Sequence, residues 1–166
     1  HRAISLRPDD DLRLGQRLKR MGHSSHVAMG RGLVSVEWYT SLREAIRGLE
    51  KNAFAGMEYN LGTVFASVVG ILAIMVWPYV ALFLTEGQTL GLYAGAILLQ
   101  LALYVLANGA GGPRMCQLAL AYPVAALLFA YAIARATYLT LRRGGIAWRG
   151  TFYPLALLRS QSGLPD

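Results

Sequence analysis

Polar sequence dominates this chain up to about residue 60, and three apolar runs then follow at residues 61–84, 90–107 and 118–134. None of the three contains a charged side chain. At about 1.5 Å per helical residue, each is long enough, or nearly so, to cross a hydrocarbon layer of about 30 Å. A soluble domain built from 166 residues has little room to cover three such rods on every side. The pattern therefore predicts a mainly α, polytopic membrane protein with three helical segments, led by a polar region of different character.

That leading region divides in two. Asp9-Asp10-Asp11 precedes a short amphipathic stretch in which Leu12, Leu14 and Leu18 recur among Arg13, Arg17, Lys19 and Arg20. Carboxylates at its start suit the unpaired N–H groups and the positive end of the helix dipole, and Gly22 is placed to stop it. His26-Val27-Ala28-Met29 reads as a short strand and Arg31-Gly32 as a turn. Further on, Trp38, Leu42, Ile46, Leu49 and Phe54 recur at near-helical spacing, with Arg43, Glu44, Arg47, Glu50 and Lys51 between them. Thr40 or Ser41 can cap this second helix, and Glu44 stands where a capping box needs it. Aromatic residues on one side and bases on the other suit a membrane interface, although an ordinary helix packed on a soluble core has the same pattern.

Within the first apolar run, Trp77-Pro78-Tyr79 predicts a kink with aromatics at headgroup level. Thr85 to Thr89 form a short loop, and Asn108-Gly109-Ala110-Gly111-Gly112-Pro113-Arg114 a tight connection. The third run contains Tyr122-Pro123 and ends at Arg135, whose long stem can snorkel, with the helix continuing to Leu141. In the tail, Gly144-Gly145 and Arg149-Gly150 mark turns, while Trp148 and Tyr153 suit anchoring at headgroup depth.

Charge refines the picture. The chain carries 16 Lys and Arg against 9 Asp and Glu, a formal net charge of +7. Ten of the bases precede Glu58, Arg114 stands alone between the second and third runs, and five follow from Arg135 onward. Bases that flank apolar segments fit anionic lipid headgroups better than nucleic acid, which is not an expected partner. The same bias places the polar N-terminal region in the cytoplasm, the Glu86 loop outside and Arg114 inside. Three full crossings would then leave Arg142, Arg143, Arg149 and Arg159 outside, against the bias. Either the bias fails here, or one run is re-entrant and returns to its own side.

Candidate chemistry is sparse. Cys116 is the sole cysteine, so no internal disulfide and no thiolate metal cluster can form. His23 and His26 have no third ligand nearby, and zinc is not expected. The acidic triplet can act as a general base, help hold a divalent ion, or simply cap a helix. Arg47 and Lys51 share a helix face and can pair with diphosphate oxygens, or equally with Glu44 and Glu50. The chain opens at His1 without an initiator Met or a signal-peptide pattern, and is expected to be the C-terminal portion of a longer protein.

The order of these features resembles the C-terminal part of a membrane-bound family 2 glycosyltransferase. The matching pieces are Asp10-Asp11-Leu12-Arg13-Leu14-Gly15, Leu18-Lys19-Arg20-Met21-Gly22, Val34-Ser35-Val36-Glu37-Trp38-Tyr39 and Ser41-Leu42-Arg43-Glu44. Gly48-Leu49-Glu50-Lys51-Asn52-Ala53-Phe54-Ala55-Gly56, the apolar runs and Gly144-Gly145-Ile146-Ala147-Trp148-Arg149-Gly150-Thr151-Phe152-Tyr153-Pro154-Leu155 complete the set. The resemblance implies that residues 1–33 are the C-terminal edge of a GT-A-type α/β catalytic domain and 34–59 an interfacial amphipathic helix. Residues 60–141 are then the transmembrane region and 142–166 a membrane-proximal tail. It further implies Asp11 as the base that deprotonates the acceptor, with Asp10 supporting it. Arg47, Glu44, Lys51, Trp148 and Arg149 become substrate-binding residues. Glu44-Ala45-Ile46-Arg47-Gly48 stands where the family commonly has Gln-x-x-Arg-Trp and keeps only the Arg, which fits single addition to a lipid better than polymer synthesis. The implied partners are a nucleotide-sugar donor, a lipid or other membrane-associated acceptor and membrane lipids. The implied cofactor is Mg or Mn, ligated mainly upstream with no metal ligand in this stretch, so residues 1–166 alone are expected to be inactive. The implied location is the cell inner membrane, with the catalytic part cytoplasmic.

Overall fold

The computed structural model describes residues 10–24, 26, 33, 35–108, 114–148 and 150–160. The chain is mainly helical and divides into two compact units, His1–Leu61 with Ala132–Asp166, and Gly62–Tyr131.

In the first unit, α1 (Asp10–Arg20) begins at the acidic run. It ends in a Schellman turn, in which the Gly22 N–H donates to the Lys19 carbonyl (3.1 Å) and the His23 N–H to the Leu18 carbonyl (3.0 Å). Gly22 takes the required left-handed conformation, φ +80°. Of the expected strand at residues 26–29, His26 has no regular structure and the other three lie outside the described residues.

Helix α2 (Leu42–Gly56) is capped by Ser41, whose Oγ accepts the Glu44 N–H at 3.3 Å. The Glu44 carboxylate reaches back in turn, accepting the Thr40 N–H at 3.0 Å and the Thr40 hydroxyl at 2.6 Å. The helix stops because Glu58 (φ 52°) and Tyr59 (φ 55°) both adopt left-handed backbone, a strain of about 1–3 kcal/mol each for residues with a Cβ. Burial of Tyr59 edge-on against Phe54, ring centroids 5.3 Å apart, offsets part of that cost.

The rest of this unit comes from the far end of the chain. Helix α6 (Arg114–Arg143) contributes its last twelve residues, in which Ile133, Ala136, Thr137 and Thr140 are buried at i, i+3, i+4 and i+7. Strands β1 (Gly145–Trp148) and β2 (Thr151–Pro154) form a two-stranded antiparallel hairpin, Ile146 opposite Tyr153 and Ala147 opposite Phe152. A Cβ at Gly145 would land on the Tyr153 carbonyl, so only glycine fits there. Helix α7 (Leu155–Ser160) folds back on the hairpin with Leu158 buried.

The second unit holds the membrane-type helices, apart from the last twelve residues of α6. Candidate spans run over Leu61–Ala81, Gly87–Ala107 and Ala119–Arg143, with mean hydropathy 2.2, 2.0 and 1.6. The first is built from α3 (Leu61–Ile71), a π-helical turn (Leu72–Val76) and α4 (Trp77–Ala81), and the second is α5 (Gly87–Asn108). The chain absorbs Pro78 through that wide turn, in which the Trp77 N–H reaches back five residues to the Leu72 carbonyl. Pro78 has no N–H to offer the Ile74 carbonyl four residues earlier. Gln100 of α5 fills the gap, its Nε2 donating to the Ile74 carbonyl at 2.6 Å. Trp77 Nε1 also donates to the Tyr93 hydroxyl at 3.2 Å. Pro123 lies inside α6, which remains one helix across it.

Candidate functional site

The head of α2 is the best-defined polar feature among the residues singled out from sequence. Glu37, Trp38, Tyr39, Thr40, Ser41, Leu42 and Ala45 line an open groove of about 560 Å³. Trp38 is 83% exposed and meets Tyr39 edge-on at 6.4 Å. The Tyr39 ring lies over Gly48, and a Cβ there would overlap the ring atoms. An aromatic ring therefore covers the bare backbone one residue after Arg47. Sequence reasoning missed this contact; a tyrosine nine residues before a helical glycine carries no local signal of it.

Glu44 is fully exposed, yet its carboxyl is held below the ordinary glutamate value of 4.5. The hydrogen bond from the Thr40 hydroxyl is the main cause, followed by the Thr40 backbone N–H and, more weakly, the Arg47 charge. Glu44 thus stays ionised as part of the cap. Arg47, on the next turn, is exposed to solvent. Glu50, which the sequence offered as a neighbour of Arg47 and Lys51, accepts from Arg135 Nε at 2.7 Å, with the two side chains 19% and 38% exposed. Arg135 accordingly binds a carboxylate of α2.

Asp10 opens α1 and Asp11 is its second residue, at the positive end of that helix dipole. Lys51 lies in α2 and Trp148 closes β1. The side chains of these four, and Arg149 altogether, lie outside what is described. The fold does bring together two of the elements concerned, because α2 packs on β1 although all of Gly62–Tyr131 separates them in sequence.

Among the described residues, no three His, Cys, Asp or Glu side chains gather to hold a metal ion. Within the second unit the Tyr79 and Tyr122 rings stack at 6.3 Å, and Tyr104 meets Tyr122 edge-on at 6.4 Å. The Tyr79 hydroxyl and Gln100 Oε1 are buried there without a hydrogen-bond partner among the described residues.

No family model, curated protein or solved structure matches this chain.

Proposed function

We propose that this chain is the membrane-embedded C-terminal part of an inverting glycosyltransferase that moves a sugar from a nucleotide-sugar donor to a lipid or other membrane-associated acceptor. The observation that carries the reading is the packing of α2 on the β1–β2 hairpin. The family resemblance places substrate-binding residues on both elements, Arg47 on one and Trp148 and Arg149 on the other. The Tyr39 ring over Gly48 adds support, since it puts an aromatic group beside Arg47 where the family motif carries Trp.

In this reading the acceptor hydroxyl attacks the anomeric carbon as its proton passes to the Asp11 carboxylate. The bond from that carbon to the diphosphate breaks on the opposite side, giving inversion and a nucleoside diphosphate. Asp10 supports Asp11, while Arg47, Lys51 and Arg149 face the phosphates. The reading requires a GT-A-type nucleotide-binding domain, with the Asp-x-Asp that holds Mg or Mn, joined before residue 1. It puts that domain, α1 and α2 on the cytoplasmic face of the inner membrane.

The test is transfer of radiolabelled sugar into the lipid extract by membranes containing the natural full-length protein, over a panel of nucleotide sugars. Asp11→Asn is expected to lower turnover at least about 100-fold, the usual scale for losing a general base, while donor affinity stays near normal. Unchanged turnover removes Asp11 from the chemistry, and no transfer from any donor overturns the assignment. A non-enzymatic membrane anchor or assembly module is the second reading, favoured by α5, whose Leu92, Leu98, Leu99, Leu103 and Leu106 are all exposed.

A further inference from the structure

We infer that Tyr59, just before the first apolar helix, and Arg135, near the end of the third, lie at the same face of the membrane. The chain between them then crosses an even number of times, and at least one of the three apolar helices does not complete a crossing.

Two contacts within the first unit carry this. Arg135 Nε lies 2.7 Å from Glu50 Oε1, and Arg159 Nη2 donates to the Tyr59 carbonyl at 3.4 Å. Each joins a residue before the first apolar helix to one near or beyond the end of the last. Groups at hydrogen-bond distance cannot stand on opposite sides of about 30 Å of hydrocarbon. The unit cannot itself thread through the layer either. Within fifteen residues α2 carries Arg43, Glu44, Arg47, Glu50 and Lys51, of which Arg43, Glu44 and Arg47 are exposed. Charges at a bilayer centre cost several kcal/mol each, so α2 lies outside the hydrocarbon. Whatever it pairs with lies at its own face.

Parity follows. Leu61–Ala81, Gly87–Ala107 and Ala119–Arg143 are each long and apolar enough to cross, but an odd number of crossings would part Arg135 from Glu50. Length and hydropathy report what a helix can do; the ion pair reports where its end is held. The charge distribution agrees independently. With an even count, Arg142, Arg143 and Arg159 share the face of Arg43 and Arg47, and the conflict that three full crossings created with the basic-residue bias disappears. A helix that stops short is tolerated in lipid only where protein covers its freed backbone groups.

The experiment is cysteine accessibility in the full-length protein in sealed vesicles of known orientation, with native cysteines replaced. Arg43→Cys and Arg143→Cys each place a thiol at an exposed helical position outside both contacts. A membrane-impermeant maleimide is expected to label both from the same side, with labelling lost at both together in vesicles of opposite orientation. Gly56→Cys and Leu157→Cys, also exposed, repeat the comparison if either first variant fails to insert. Labelling of Arg43→Cys and Arg143→Cys, or of the second pair, from opposite sides overturns the inference.

Discussion

The two units of this protein solve the same problem, holding helices together, in opposite ways. Of the chain's Lys, Arg, Asp and Glu residues, only Glu86 and Arg114 fall within Gly62–Tyr131; all the others belong to the first unit. The largest fully buried side chains, Phe54 and Ile133, also belong to the first unit. Around α2, whose Arg43, Glu44 and Arg47 are exposed, water drives Phe54 inward, and a half-buried ion pair joins Glu50 to Arg135 of α6. In the second unit apolar side chains gain little by leaving lipid, and Phe65, Phe83, Leu92 and Leu106 remain more than two-thirds exposed. Its helices are tied by polar contacts, of which the Gln100 bond to the Ile74 carbonyl is the clearest. The lesson is that an aromatic core residue and an amide can hold equivalent posts in different solvents.

The sharpest way to break that comparison is Phe54→Ala. It empties a fully buried site, and is expected to destabilise the first unit by about 3–5 kcal/mol in thermal unfolding followed by a probe on the hairpin. The second unit is expected to respond to a polar deletion. Gln100→Leu should cost about 0.6–1.7 kcal/mol in a nanodisc, the range for hydrogen bonds between membrane helices. Pro78→Ala restores the missing N–H, so in that background Gln100→Leu is expected to cost less; equal costs in both backgrounds would uncouple the two residues. The smallest effect belongs to the cap. Glu44 has its pKa lowered by folding, so its contribution is complete above about pH 4.5 and disappears as pH falls through the lowered value. Glu44→Gln should therefore be slightly less stable than wild type near neutral pH and equal to it in strong acid, by paired melting curves.

What the sequence made legible follows from how far each signal reaches. Hydropathy located all three apolar helices, because lipid exposure acts on every residue of a span. Gly22 and the pairing of Ser41 with Glu44 were readable because both partners lie within one turn of chain. The hairpin was half legible: Gly144-Gly145 and Arg149-Gly150 marked its edges, but four-residue strands leave too short an alternation to announce pairing. Pro78 announced a disturbance without saying that Gln100, in another helix, would repair it. The link between Glu50 and Arg135 was out of reach for the same reason, since each had a plausible local use. Of the candidate site, Arg47 could be placed from spacing alone, whereas Tyr39 over Gly48 depends on how the chain enters α2.

The first unit is discontinuous, its two pieces parted by the whole of Gly62–Tyr131. During synthesis, α2 leaves the ribosome well before the hairpin it packs against exists. The apolar helices therefore emerge before the first unit can close, and a nascent chain stalled before Ala132 would display α2 without the hairpin it packs against. Quality-control machinery that senses bare aromatic surface would have that interval in which to act.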